Sequence, residues 1–205
     1  MHVRPATASD AAAVHDIYAP VVAGTAISFE DDPPTVEEIR RRIVNTLPTH
    51  PWLVCERDGD GGDGEGGEGI VGYAYAGPHR SRDAYRWSVD VSVYVAEDER
   101  GAGVGRTLYE SLFALLVEQG FVTAYAGIAQ PNETSVGLHE SLGFEPVGVY
   151  ESVGYKRGAW RDVGWWAKRL REPPAEPTPP VGVETVRVKV GEERFQELLA
   201  TGHTS

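Results

Sequence analysis

Cysteine is all but missing: Cys55 is the one thiol among 205 residues. An intrachain disulfide is therefore excluded, which fits a reducing cytoplasm and leaves stability to the apolar core. Cys55 sits in the apolar run Trp52-Leu53-Val54-Cys55, where a small thiol serves as a buried hydrophobe rather than a nucleophile. Lysine is nearly as scarce, confined to Lys156, Lys168 and Lys189, and Lys plus Arg reach 19 against 31 Asp plus Glu. The net charge of -12 argues against non-specific nucleic-acid binding, which needs a basic face. So acidic a balance suits solubility at high salt, where screening removes the self-repulsion of the surface, and a salt-loving source is one reading of it. Long apolar runs are absent too. None reaches the length of a membrane span, and Met1-His2-Val3-Arg4 leads straight into a strand rather than a signal peptide. A length of 205 residues, 41% of them hydrophobic, suits one α/β domain with a real core and something extra.

Against these absences stands one informative stretch. Val89-Asp90-Val91-Ser92-Val93-Tyr94-Val95 alternates like a strand and runs, after a short acidic link, into Arg100-Gly101-Ala102-Gly103-Val104-Gly105-Arg106. The glycines then open a helix with Val104, Leu108, Leu112, Leu115 and Leu116 at its apolar positions. Glycine lets several N–H groups converge on one spot, and a helix N-terminus adds partial positive charge, so the turn suits a phosphate or pyrophosphate. A Walker loop needs Gly-Lys-Ser/Thr at its end, and Gly105 is followed by Arg106 and Thr107. A dinucleotide fingerprint needs its glycines directly after the strand, and Ala96 to Arg100 intervene. A glycine-rich connection without a ligand is the alternative.

Elsewhere the chain reads as strand Val3–Ala6, a helix capped by Ser9 with Val14, Ile17, Tyr18 and Val21 on one face, and a second helix opened by the box Thr35-Val36-Glu37-Glu38. Strands Trp52–Glu56 and Ile70–Ala76 flank an acidic glycine-rich run, 58–69. That run lacks an oxygen ligand at Gly62, so it reads as a flexible hairpin loop, and no metal is expected. Trp87–Val95, Phe121–Ala129, Phe144–Tyr150 and Asp162–Leu170 are further strands, with helices over Gly103–Gln119 and Asn132–Leu142. Residues 171–183 form a Pro-rich, extended linker, and 184–205 a short strand-helix appendage, Glu184–Val190 then Glu192–Ala200, too small for its own core.

The Arg-x-x-Gly-x-Gly turn between strand and helix resembles the acetyl-CoA pyrophosphate loop of the GNAT superfamily of N-acetyltransferases. Asn132-Glu133-Thr134-Ser135-Val136-Gly137-Leu138-His139-Glu140-Ser141-Leu142-Gly143-Phe144 resembles a second signature of that superfamily, with His139 where most members carry Tyr. That departure is similar to the phosphinothricin, methionine sulfoximine and methionine sulfone N-acetyltransferase branch. So are Gly72-Tyr73-Ala74-Tyr75-Ala76-Gly77-Pro78, Arg82-Asp83-Ala84-Tyr85 and the stretch from Gly154 to Gly164. The resemblance covers about Val3 to Leu170. It implies a mixed α/β GNAT fold over residues 1–170, a twisted, mostly antiparallel sheet with splayed strands flanked by helices. It also implies a homodimer, and acetyl transfer from acetyl-CoA to the amine of a small amino-acid-like substrate.

On that resemblance each chemical task has candidate residues. The backbone of Gly101, Ala102, Gly103, Val104, Gly105 and Arg106, with the Arg100 and Arg106 side chains, would hold the pyrophosphate. Main-chain groups of Val93, Tyr94 and Val95 would polarise the thioester carbonyl. Asp90 aligns with the family's catalytic Glu and, one carbon shorter, would take the ammonium proton directly or through water; it could instead bind the substrate amine or be a solvated strand acid. His139 would protonate the leaving thiolate or assist proton removal, or be a satisfied structural histidine. Asn132 would bond the pantetheine arm, cap a helix, or both, and Ser141 would reach the cofactor. Arg82 and Tyr85 match positions that contact the acid groups of the substrate, with Phe29, Lys156 and Trp160 completing the pocket from the same chain or across a dimer interface. Acetylation of a protein amine and a non-catalytic acetyl-CoA-binding module, with the tail as its partner-binding piece, are the rival readings.

Overall fold

The computed structural model describes residues 1–57 and 69–203, so most of the run read as a hairpin loop lies outside the described residues. The elements run β1 (His2–Pro5), α1 (Ala11–Gly24), α2 (Val36–Thr46), β2 (Trp52–Arg57), β3 (Gly69–Pro78), β4 (Ser88–Val95), α3 (Val104–Gln119), β5 (Thr123–Ala129), α4 (Glu133–Ser141), β6 (Glu145–Lys156), β7 (Ala159–Arg169), α5 (Val183–Val190) and α6 (Glu192–Ala200). The strands make one sheet in the order β1-β2-β3-β4-β5-β7-β6, antiparallel except for β4 beside β5. This is the mixed α/β, mostly antiparallel sheet anticipated from the sequence.

Alternation along the strands sends side chains to two cores. Val3, Leu53, Cys55, Val89 and Val91 pack with Leu108, Leu112, Leu115 and Leu116 of α3. On the opposite face Trp52, Val54 and Tyr73 meet Val14, Ile17 and Tyr18 of α1 and Ile39 and Ile43 of α2. The α2 box forms as read: Thr35 Oγ1 accepts from Glu38 N at 3.2 Å, and Glu38 Oε2 accepts from Thr35 N at 2.7 Å. At α1 the expected Ser9 cap is replaced. The Asp10 carboxylate accepts from the Thr7 N–H at 2.7 Å and is gripped by both Arg4 Nη atoms at 2.8 Å, closing a 3-10 turn over Ala8–Asp10 before α1 starts. An ionised carboxylate held by a guanidinium fork is a stronger organiser than a serine hydroxyl.

The tail needs a larger correction. Glu184–Val190, read as a strand from its alternating valines, lies within helix α5. It packs on α3, which presents no unpaired strand edge, so only a helix satisfies the segment's own backbone groups there. Val183 and Val186, three apart, turn inward on one helical face and join Phe195, Leu198 and Leu199 of α6 in the α3-side core. Ser111 Oγ donates to Leu199 O at 2.6 Å, and Thr107 Oγ1 donates to Gly202 O at 3.2 Å. No helix among the described residues is long and apolar enough to cross a membrane.

Candidate functional site

β4 and β5 pair over three positions only, Ser88 with Thr123, Val89 with Ala124 and Asp90 with Tyr125. Beyond them the strands part, and the edge of β4 from Val91 to Val95 has no strand beside it on that side, while its other edge stays bonded to β3. The opening is a cleft walled by Val91 to Tyr94 on one strand and Ala126 to Ala129 on the other, with Asn132, Ser135 and His139 of the α4 segment at its side. Val93 and Val95 pack toward α3, and Tyr94 lies among Tyr18 and Tyr73 on the other face; the ladder to β3 takes the Tyr94 N–H and leaves those of Val93 and Val95 on the open edge.

The glycine turn follows the splayed strand. Gly101 and Gly103 have φ of +82° and +85°, values open to glycine but strained for residues with a Cβ, and Gly103 is the N-cap of α3. A methyl group at either would meet nothing within 4 Å, so the space above the turn is open. The first N–H groups of α3, at Val104, Gly105 and Arg106, have no intrahelical acceptor and carry the positive end of the helix dipole. Arg100 and Ala102 are exposed. Gly105 serves packing instead, since a Cβ added there would lie 3.2 Å from the Leu138 side chain of α4. Arg106 and Ser141 are brought together: Nη2 donates to Ser141 Oγ at 2.7 Å, and Nη1 pairs with Glu110 at 3.2 Å. A pyrophosphate-bearing acetyl-CoA fits this donor set: open space, free helix N–H groups and two guanidinium side chains close by.

Asn132 caps α4, its Oδ1 accepting from Ser135 N at 3.2 Å, while also lining the cleft. His139 is 3% exposed, and both ring nitrogens are engaged: Nδ1 lies 2.7 Å from the Ser135 carbonyl and Nε2 lies 3.0 Å from the Tyr109 hydroxyl. A carbonyl only accepts, so Nδ1 carries the proton and Nε2 accepts from Tyr109. Burial pushes the His139 pKa down, against the opposing pull of the Ser135 carbonyl.

Asp90 projects to the α1/α2 face, opposite Gly77 of β3. Burial pushes its carboxyl up from the usual 3.8, opposed by a hydrogen bond from His79 and the charge of Arg80. His79 Nδ1 lies 2.6 Å from Asp90 Oδ1, and the His79 ring stacks on Tyr125, centroids 4.2 Å apart. Tyr85 and Trp165 meet the same ring edge-on at 6.2 and 6.0 Å. Arg80, Arg82, Tyr85 and Arg86 line a groove of about 460 Å³ that Tyr85 joins to His79. On the other side of Pro78, Tyr18, Arg42, Trp52 and Tyr75 wall a second cavity of about 250 Å³.

Phe29, Lys156 and Trp160 form a separate group. Lys156 is 8% exposed and donates to the carbonyls of Val22, Ser28 and Glu30 at 2.9, 2.8 and 2.6 Å, which uses all three of its protons to pin the last turn of α1 and the segment after it. Phe29 lies over Gly154, where any Cβ would strike its ring, and Trp160 is 65% exposed beside Tyr155. This group reaches the cleft only through Ile27, which lines it from the same segment. Sequence reasoning missed His79, Arg80, Tyr125 and Trp165. The available signal was Pro78, which ends β3 and sets His79, next in the chain, as a diagonal neighbour of Asp90.

A family model described as the acetyltransferase (GNAT) domain matches residues 3–165. A phosphinothricin N-acetyltransferase of Streptomyces viridochromogenes is 39% identical over 179 residues, covering 87% of this chain and 92% of that one. An L-methionine sulfoximine/L-methionine sulfone acetyltransferase of Salmonella typhimurium is 34% identical over 175 residues, covering 84% and 96%. Among solved structures, a GNAT superfamily phosphinothricin acetyltransferase from Sinorhizobium meliloti, in complex with acetyl-CoA, superposes with a TM-score of 0.78 at 32% identity, covering 87% of this chain and 94% of that one. With a strand pair that opens onto a glycine turn and a match over most of its length, the chain belongs to the GNAT acetyltransferase family.

Proposed function

We propose that this acetyl-CoA-dependent N-acetyltransferase acts on the amine of a small amino-acid-like substrate of the phosphinothricin, methionine sulfoximine or methionine sulfone type. The observation that carries the reading is the end of β4–β5 pairing at Asp90, which sets a carboxylate at the apex of the splay, one residue before Val91 begins the wall of the cleft. Acetyl-CoA brings the acetyl group as an activated thioester. The turn from Arg100 to Arg106 holds its pyrophosphate, Asn132 and Ser141 lie along its arm, and the main-chain N–H groups of Val93 and Val95, which face the open edge of β4, stabilise charge developing on the carbonyl oxygen. Asp90 anchors removal of the ammonium proton. Arg82 and Tyr85, with Arg80 and Arg86 beside them in an otherwise acidic molecule, favour a substrate that carries a carboxylate or phosphinate. His139, neutral and doubly bonded, positions Tyr109 and the start of α4 rather than giving up a proton. Lys156 and Phe29 shape the pocket by fixing the segment that carries Ile27.

β6 is exposed along nearly its whole length, with Val147, Val149 and Val153 61%, 58% and 51% exposed and Trp160 65% exposed nearby. An apolar edge of this kind calls for cover, and a second copy of the chain supplies it. The single buried Cys55 suits a cytoplasmic setting. The deciding experiment follows free-thiol release from acetyl-CoA with phosphinothricin, methionine sulfoximine, methionine sulfone and a peptide amine. Release with an amino-acid analogue and none with the peptide is expected. Stabilisation by acetyl-CoA without release for any amine would make the protein a binding module, and light scattering that reads a monomer would remove the dimer.

A further inference from the structure

Asp90, at the point where β4 and β5 part, does not stand alone. His79 follows Pro78 at the end of β3, its N–H reaching Ser88 O at 3.4 Å, and as a diagonal neighbour across the strands its Nδ1 lies 2.6 Å from Asp90 Oδ1. A carboxylate accepts and does not donate, so the proton in this bond belongs to Nδ1, and the lone pair of the ring is on Nε2. Nε2 meets no partner among the described residues, and the ring is only partly buried. Stacking on Tyr125, with Tyr85 and Trp165 against its edges, fixes the plane of the imidazole, and the bond to Asp90 selects which nitrogen faces the carboxylate. An aspartate is one carbon shorter than a glutamate; an imidazole bonded to it extends its reach while keeping the negative charge behind the acceptor.

We propose that the acceptor of the ammonium proton is Nε2 of His79, and that Asp90 is the positioning residue that fixes the imidazole's tautomer and steadies its charged form. This rests on the acetyltransferase reading above and changes which atom takes the proton. In the step, an N–H bond of the substrate ammonium breaks, its electron pair stays on nitrogen and the proton goes to Nε2. The neutral amine then forms the new C–N bond as the C–S bond breaks. The second nitrogen proton goes to the departing sulfur, and His79 returns the first to water, so one proton is released per turnover. The arrangement has the logic of an acid–histidine pair, in which the carboxylate orients and the imidazole transfers. The charged and titratable groups facing the ring are Asp90 on β4, Arg80 next in the chain, Tyr85 in the following turn and Tyr125 on β5.

The test compares His79→Gln, His79→Ala and Asp90→Asn with the parent, each first shown to be folded and still stabilised by acetyl-CoA. His79→Gln should lower turnover by roughly a hundredfold or more near neutral pH, with the loss shrinking at high pH, where the amine needs no base. Free imidazole should restore part of the activity of His79→Ala and none of that of the parent, a rescue that a merely structural histidine would not give. Independently of activity, nitrogen-15 spectra of the parent should show His79 as the Nδ1–H tautomer, and Asp90→Asn should weaken that preference. Parental turnover in a folded His79→Gln, or an Nε2–H tautomer in the parent, overturns the proposal and returns the proton to Asp90 or water. A parent that binds acetyl-CoA but acetylates no amine overturns the enzyme reading and this step with it.

Discussion

Individual side chains in this protein divide into those whose bonds are complete and those left with capacity, and the division predicts what each substitution does. His139 is complete. Burial holds it below its ordinary 6.5, so between that depressed value and 6.5 the unfolded chain binds a proton that the folded chain does not. The stability this supplies is full above about pH 6.5 and is lost as the pH falls through that interval. Urea midpoints should therefore drop between about pH 7.5 and about pH 5, and His139→Asn should flatten the slope. His50, also depressed by burial, accounts for part of what remains. A slope that is the same in parent and His139→Asn would mean that His139 is charged in the folded state. Arg82 is the opposite case, exposed in the groove beside Tyr85, its guanidinium without a hydrogen-bond partner among the described residues. Arg82→Ala should raise the KM for an acidic amine severalfold with little change in kcat and in acetyl-CoA affinity, since a contact made equally in ground and transition states affects binding alone. Initial rates against substrate concentration check this, and unchanged KM would take Arg82 out of the site.

At the scale of elements, the phosphate turn and its helix depend on backbone shape more than on side chains. Gly103 holds φ at +85°, and a β-branched residue there costs about 1–2 kcal/mol of strain or forces the turn to another shape. Gly103→Val should stay folded yet lose the rise in melting temperature that acetyl-CoA gives the parent, a stabilisation of about 2.7 kcal/mol at a hundredfold excess over Kd. A full shift in the folded variant would move the pyrophosphate elsewhere. This turn was legible in the sequence because glycine spacing, strand alternation and helix periodicity are local signals. The Thr35–Glu38 box was legible for the same reason: its two partners lie three residues apart. What the sequence could not show were meetings across the sheet. His79 reaches Asp90 only because β3 and β4 pair in a register that sets Gly77 opposite Asp90. Lys156 reaches three carbonyls more than a hundred residues away in sequence, which no motif announces. The valines of α5 misled because alternation in a short segment suits a strand until the absence of a free sheet edge decides for a helix.

For the molecule as a whole, two features set behaviour that no single element explains: a tail that shares the main core, and a strongly negative surface with a cationic groove. Phe195, 2% exposed, lies in the same apolar cluster as Leu112 and Leu116, so Phe195→Ala should cost about 3–5 kcal/mol and lower a single unfolding transition. A main transition that stays in place would make the tail a separate appendage. Salt should then act in two directions at once. The net charge of -12 repels itself across the surface, and screening should raise the unfolding midpoint as salt goes from low to molar concentration. The same screening weakens the pull of Arg80, Arg82 and Arg86 on an anionic substrate approaching their groove. The KM for a carboxylate- or phosphinate-bearing amine should therefore rise with salt while the protein becomes more stable, and the KM for an uncharged amine should change little. Initial rates and melting curves over one salt series measure both. A stability that falls with salt would refute the role assigned to surface repulsion, and a KM for the acidic amine that is indifferent to salt would refute the role assigned to the groove.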